Sequence, residues 1–559
     1  MSNTQLRLRR GTTAEHANFT GAQGELTVDT DKNALVLHDG ATQGGKVIDN
    51  EVTATGSTTA RSLSDRFADV VNVKDFGAEG DGVTDDTTAI QAAIDNGGSI
   101  FIPVGTYKIT TALTISDSNL VISGYGATLH MVGNTGDFEQ YECNAIVFNG
   151  STATQKNIVI EGLKFTGENR WGGIWSIVTD LVKGWDGGVF GNVNEDNYIC
   201  RENVLIRDVE VTGAYYHAIY LTSTSVSLLN IKATNCENQR QEYVVGARAA
   251  SNIILQNIIV ENSGYKNVGT SYGDYVVYDN IITQLSASTS AGLYVGHFSR
   301  NVTITNCLVE GTLGNFMKVS YYAKDVAITN CTFEGDGYIF LQGAQDVVID
   351  NCIIKSSGKR ALYTGYHSTW GDLDCVNVTV SNCRIESSNT EGDDEDYSLR
   401  IVELSDIYNS ILSNCDITGN IYARPIGDML IQGCRIDFTK TGAYTSRIQN
   451  PIYLRSLSTS EPLGVSLVGN IVRTNNNNSS SIIYLHGSSD DANVTIMSSY
   501  FYAPNLTSFN NITVNFANNG RLIYANNVVD VPNNSGGSEL SYNFSGTLDK
   551  KISYLTYIP

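Results

Sequence analysis

The stretch NVTITNC, residues 301–307, recurs as DVAITNC (325–331), DVVIDNC (346–352), NVTVSNC (377–383), NSILSNC (409–415) and DMLIQGC (428–434). Each copy alternates apolar and polar residues, turns at Asn-Cys or a substitute, then alternates again. A period of two belongs to a β-strand, so each copy reads as two short strands joined by a tight turn. Asn tolerates the left-handed backbone that such a turn needs. Copies without the cysteine extend the series upstream, as in NIVIEGLKFTG from 157 and NIILQNIIVEN from 252. Others extend it downstream, as in GVSLVGNIVRT from 464 and NVTIMSSYFYA from 493. The copies lie about 20 to about 50 residues apart, too close for separate domains and right for the coils of a solenoid.

A third apolar-alternating run precedes the phrases: HAIYLTST, EYVVGARA, GLYVGHF, NFMKVSYY, GYIFLQGA, RALYTGYH and NIYARPIG. Three strands per coil predict an all-β fold, a right-handed parallel β-helix. About a dozen coils at ~4.8 Å each would make a rod of roughly 60 Å. Asn306, Asn330, Asn351, Asn382 and Asn414 would stack as a ladder of amides. Cys307, Cys331, Cys352, Cys383 and Cys415 would stack behind them in the core.

Bulk composition agrees. The chain has 559 residues with 53 Gly, 30 Tyr and only 7 Pro, and charged residues make up 17%. A net charge of −22 argues against nucleic acid or an anionic membrane as a partner. An acidic glycan would need local Arg or Lys in its groove. No apolar run reaches the ~18 residues of a membrane span, so no membrane insertion is expected. The first residues, MSNTQLRLRRGTT, lack the apolar core of a secretion signal. The 10 cysteines form no CxxC pair and read as reduced core thiols, with no metal and no cofactor expected.

Before the coils comes DFGAEGDGVTDDTTAIQAAIDNGGSIFIPVGTYKI, residues 75–109. Its acids Asp81, Asp85 and Asp86 sit beside glycines, as in a metal loop. The segment from Thr84 to Asp95 also carries helix signals: acids in the first turn, Thr88 followed by Gln91, and Ile90, Ala93 and Ile94 on one face. A short amphipathic helix there would cover the open apolar end of a β-helix. The whole run resembles the N-terminal signature of the pectate-lyase-like β-helix superfamily, which includes polygalacturonases, polysaccharide lyases and many phage tailspikes. That resemblance, covering roughly 72–505, implies that the stretch is a cap and that its acids are structural.

Residues 5–48 hold LRRGT, GELTVDTDKN and LHDGAT. They are similar to the small β-rich modules at the N-termini of phage tail fibres and tropism proteins, which attach a spike to the virion. The resemblance implies a phage tail or baseplate protein as one partner, a bacterial surface polysaccharide as the other, and a homotrimer. It also implies a virion location after synthesis in the host cytoplasm. The expected organisation is a module over 1–50, a neck over 51–71, a cap over 72–115, a β-helix over 116–505 and a β-rich cap or trimerisation region over 506–559.

Some motifs fall short. GATQGGK (40–46) is followed by Val47 where a phosphate loop needs Ser or Thr. DTDKNA lacks the glycine of a calcium loop. EGDDEDY (391–397) reads as a solvated acidic loop or a cation site. GTSYG (269–273) has the form of a nucleophile elbow around Ser271, but no strand-to-helix turn is expected there.

Chemistry is expected on the flank, where side chains face outward or connections lengthen. Two long connections are read over 167–202 and 261–300. The first carries Trp171, Trp175 and Trp185, either a carbohydrate wall or a self-packed loop. Outward third-strand positions include Tyr220, Tyr294, Phe340, Tyr363 and Tyr422. Hydrolysis of a glycosidic bond needs two carboxyl groups, ~5–5.5 Å apart for retention and ~6.5–9.5 Å for inversion. The preferred acids are Glu242 and Asp274, then Asp336, with Glu237, Asp279 and Glu403 also near strand ends. His217 and Arg248 would bind glycan or tune a pKa, and Trp175, Tyr294 and Tyr363 would stack on sugars. The leading expectation is hydrolysis of a capsule or lipopolysaccharide chain. The rivals are a lyase, for which Lys359, Arg360, Tyr363 and His367 form a basic cluster, and an adhesin that binds without cutting.

Overall fold

A computed structural model describes residues 7–48, 51–132, 144–148, 155–168, 171–176, 202–215, 217–222, 225–236, 243–248, 251–311, 314–358, 360–365, 374–387, 400–438, 450–456, 463–475, 482–487, 491–504, 512–516, 519–530, 540–544 and 548–553. The chain divides into two compact units, Met1–Val71 and Asn72–Pro559.

In the first unit four short strands, Arg9–Gly11, Leu26–Asp29, Ala34–Leu37 and Lys46–Ile48, form one sheet in that order. The first pair is parallel and the others antiparallel. The Asp29 carboxylate accepts from the Thr13 hydroxyl and from the Asp31 and Lys32 backbone N–H groups. DTDKNA is therefore a hairpin turn, with Asn33 in the left-handed region at φ 53°. The span read as a neck holds a hairpin, Glu51–Thr53 with Ala60–Ser62, and a helix over Leu63–Ala68.

The second unit begins with the expected cap. The helix Thr87–Asn96 buries Ile90, Ala93 and Ile94. Asp81 accepts from the Val83 and Thr84 N–H groups, both at 2.8 Å. Asp86, 1% exposed, accepts from Glu79 and Gly80 at 2.7 and 3.1 Å. Asp85 accepts from the Thr87 and Thr110 hydroxyls. All three acids are occupied in closing local backbone. Thr88 and Gln91 form no capping box. Gln91 instead clasps the Thr114 backbone, donating to its carbonyl at 3.0 Å and accepting from its N–H at 2.8 Å.

Behind the cap the strands are joined in parallel from coil to coil, and over residues 300–365 each pairs with the strand three further on. Arg300–Thr305 pairs with Lys324–Thr329, which pairs with Gln345–Asp350. Leu308–Gly311 pairs with Thr332–Gly335, and that with Ile353–Ser356. Asn315–Ser320 pairs with Tyr338–Gln342, and that with Leu362–Gly365. The fold is a parallel β-helix whose core is filled by the inward member of each alternation. Among the described residues no helix is long and apolar enough to cross a membrane.

The Asn-Cys turn has the geometry read from its chemistry. Asn306, Asn330, Asn351, Asn382 and Asn414 all have φ between 51° and 55°. The amide ladder is mixed rather than continuous: Asn351 donates to Asn330 at 2.7 Å, but Asn306 donates to Asp279 and Asn382 to Asp350. A second ladder runs at another corner, through Asn119, Asn157 and Asn203. Cys352, Cys383, Cys415 and Cys434 each donate to a carbonyl of the preceding coil at 3.6 Å. The neighbouring thiol and burial push Cys331 and Cys352 up to about 12, far from a reactive thiolate. Beyond Cys434 the same core position passes to Asn470, Ser499 and Asn527, whose polar atoms bond the same backbone.

Two expectations about extent differ from the structure. Residues 261–300 are not a long connection, because Ser251–Ser271 and Asp274–Gly296 run almost end to end as strands. Register shifts between Val260 and Lys266 break the alternation there, which hid the third strand. The repeats also do not fade at about 505. Parallel pairing continues through Leu540–Phe544 and Leu548–Ser553, with looser sequence.

Candidate functional site on the third-strand face

Following the register from coil to coil, one outward position of the third strand forms a single file. It runs Val147, Trp175, Tyr220, Gly246, Gly269, Tyr294, Lys318, Phe340, Tyr363, Glu403, Tyr422, Tyr453 and Tyr484. Aromatic residues dominate it, and two glycines interrupt it. The glycines make room for a ring from a neighbouring position: a Cβ on Gly269 would stand 2.5 Å from Cδ1 of Tyr243. Tyr243 thereby bridges the gap, 6.0 Å from the Tyr220 ring and 5.7 Å from the Tyr294 ring.

Around this bridge the chain gathers cations. The Lys266 ammonium lies 4.3 Å from the centre of the Tyr294 ring and 5.5 Å from that of Tyr243. The Arg248 guanidinium lies 5.5 Å over Tyr272. Lys318 sits 5.6 Å from the Tyr321 ring and 5.3 Å from Phe340. Burial holds the Lys318 ammonium below its usual pKa. Between these cations His297 is sandwiched by Tyr272 and Tyr321, at 5.5 and 4.6 Å. Burial first, and then the charges of Lys266, Arg248 and Lys318, lower His297 to about 3, so its imidazole is neutral at ordinary pH. Its Nδ1 lies 3.2 Å from the Ser271 hydroxyl, which also hydrogen-bonds the Tyr243 hydroxyl.

Further along, Phe340 and Tyr363 stack at 4.9 Å with planes 9° apart. Tyr422, Tyr453 and Tyr484 continue as a stack at 5.5 and 5.2 Å. Glu403, 3% exposed, lies between them and accepts from Arg360 and Arg400 at 2.6 Å each. Those guanidiniums cover Tyr363 at 4.4 Å and Tyr422 at 3.9 Å. A buried carboxylate held by two arginines ties the coils together, and its oxygens are already occupied.

The residues singled out by sequence fall in different places. Tyr294 and Arg248 belong to the basic cluster, and Tyr363 to the downstream stack. Tyr294 is only 2% exposed and Tyr220 6%, so these rings are packed as well as outward in register. His217 is next to the file, 6.1 Å from the Tyr220 ring, and burial lowers it to about 3. Trp175 occupies the file by its backbone pairing, but its side chain lies outside the described residues, while Trp171 is fully buried. Glu242, Glu237, Trp185, Lys359, His367 and residues 391–397 also lie outside them.

Asp274 and Asp336 are not brought together. Asp274 opens a first strand and accepts from the Asn301 amide at 2.7 Å, as a member of a corner ladder. Asp336 is exposed at the turn from a second strand to a third, its N–H on the Gly311 carbonyl. Among the described residues no three His, Cys, Asp or Glu gather closely enough to hold a metal ion.

Sequence reading did not single out Lys266, His297, Lys318 or Tyr243. His297, Lys318 and Tyr243 stand in runs identified as third strands, and counting register across those runs would have aligned Tyr294 with Lys318. Lys266 was hidden by the irregular strand at 261–271.

Residues 70–392 match the family described as rhamnogalacturonase A/epimerase, pectate lyase-like. The chain belongs to this family. The pectate-lyase-like match covers the cap and the basic cluster alike. Residues 6–42 separately match the major tropism determinant N-terminal domain. Over 253 residues the chain is 27% identical to the preneck appendage protein of Bacillus phage PZA, covering 44% of this chain and 26% of that protein. Over 225 residues it is 30% identical to mannuronan C5-epimerase AlgE5 of Azotobacter vinelandii, covering 38% of this chain and 21% of the epimerase. A stretch of 42 residues, 8% of this chain, is 67% identical to the tail fiber receptor-binding protein of Bordetella phage BPP-1, of which it covers 11%. The matched regions thus span about a quarter or less of these relatives.

Proposed function

We propose that this chain is a phage tail spike that binds an acidic bacterial surface polysaccharide along the third-strand face and depolymerises it. The match of the first unit to a tropism-determinant domain supports virion attachment, and the pectate-lyase-like second unit supports action on a polysaccharide. One observation carries the choice of an acidic chain. In a protein of net charge −22, Arg248, Lys266 and Lys318 converge on His297 beside an aromatic file. The half-buried rings of Phe340, Tyr363, Tyr453 and Tyr484 can stack on sugar faces, and the cations offset the carboxylates that the rest of the protein repels.

The same arrangement favours elimination over hydrolysis. Elimination needs a cation to neutralise the uronate carboxylate and a base for the adjacent carbon-bound proton. Arg248 and Lys266 suit the first role. Lys318, whose ammonium burial disfavours, suits the second once it has given up its proton. Hydrolysis by Glu242 with Asp274 is the competing outcome, and it would appear as new reducing ends without unsaturated uronates.

The test of the binding claim uses one acidic polysaccharide before and after chemical reduction of its carboxyl groups. Charge-assisted contacts contribute about 1.5–3 kcal/mol each, so carboxyl reduction or Lys266→Ala should weaken binding roughly ten- to hundredfold. Equal affinity for the acidic and the reduced chain would overturn it.

A further inference from the structure

The Ser271–His297 pair takes no part in elimination, yet it joins a nucleophile to a base. We propose that Ser271 and His297 form a serine esterase dyad that removes ester-linked acyl groups from the bound glycan. This second activity rests on the reading of the third-strand face as a glycan groove and on movement of the Tyr243 ring, because Ser271 is only 4% exposed and its hydroxyl is bonded to that of Tyr243.

Three features carry it. First, the hydroxyl and the imidazole are in hydrogen-bond reach, with the Ser271 Oγ 3.2 Å from Nδ1 of His297. Nδ1 is the acceptor when Ser271 donates, which assigns the ring proton to Nε2. Second, the ring is fixed without a carboxylate. In the usual triad a third group orients the imidazole. Here the stacks on Tyr272 and Tyr321, with planes 16° and 14° from that of the imidazole, do so. Third, a cation lies on the adjacent coil. Arg248 is the register partner of Ser271 on the preceding coil, and its guanidinium covers the ring of the residue after the nucleophile. The left-handed backbone at Tyr272, φ 56°, turns the chain sharply just past Ser271.

The chemistry balances with water as the only co-reactant. Ser271 Oγ attacks the ester carbonyl carbon as its proton passes to His297 Nδ1, and Arg248, on the adjacent coil, is the cation that would offset the resulting oxyanion. The carbon–oxygen bond to the sugar breaks, and the sugar oxygen leaves with the proton from Nδ1. Water then attacks the acyl-serine, returns a proton through the same nitrogen and releases the free acid.

The experiment treats the full-length protein with a fluorophosphonate probe, which reacts only with an activated serine, and maps the labelled peptide. Acetate release from an O-acetylated acidic polysaccharide is followed in parallel. Label at Ser271, lost at least tenfold in His297→Phe, together with acetate release, is the expected result. Phenylalanine keeps the stack between Tyr272 and Tyr321 and removes only the nitrogens, so loss of label would report the base and not misfolding. No label at Ser271, or label that persists in His297→Phe, would overturn the dyad. Probe labelling needs no glycan, so failure here is distinguishable from failure of the depolymerase reading, which rests on chain shortening.

Discussion

His297 shows how position alone sets a residue's behaviour. An exposed histidine titrates near 6.5 and would lose a base role below that pH. With burial and three cations holding it at about 3, its neutral form persists at any pH above roughly 4. The sign is that of a depressed base: the active form is present above the folded pKa and lost only below it. The rate of probe labelling at Ser271 should therefore differ by less than about threefold between pH 5 and pH 8. A tenfold fall on going to pH 5 would mean that His297 titrates normally. At this scale the sequence was readable where chemistry is local. Asp81, Asp85 and Asp86 bond backbone or hydroxyl groups within 25 residues along the chain, and their turn context marked them as structural. The basic cluster was not readable, because its members meet only after consecutive coils stack.

At the scale of elements, the Asn-Cys turn made the coils legible. A left-handed corner and a buried small residue repeat wherever the chain turns inward, and the structure places them as read. The third strand carries the proposed site but has no such marker. Its outward position varies from tyrosine to glycine, lysine and glutamate, so only register reveals the file. Gly269 tests whether that file is built as described. In Gly269→Ala the new Cβ meets the Tyr243 ring at 2.5 Å and must displace it. Overpacking of this kind costs roughly 1–3 kcal/mol. The variant should unfold at lower denaturant concentration and bind acidic glycan more weakly. Unchanged stability and binding would show that Tyr243 does not bridge the two halves of the file.

Over the whole second unit the outward faces differ in chemistry. The first-strand face presents short uncharged side chains such as Ile254, Val277, Thr303, Ala327 and Val348 in one register file. The second-strand face carries mostly acidic side chains, with Glu310, Glu334, Lys355 and Glu386 in line. Among the described residues the third combines a file of aromatic rings with the cations Arg248, Lys266 and Lys318, which is why it is assigned to the glycan despite a net charge of −22. The most direct test incubates the purified protein with acidic and neutral bacterial surface polysaccharides and follows chain length and the absorbance of unsaturated uronates together. The account expects shortening of an acidic chain accompanied by that absorbance, and loss of both in Lys318→Ala. Cleavage confined to neutral chains, or shortening of an acidic chain without the absorbance, would contradict it.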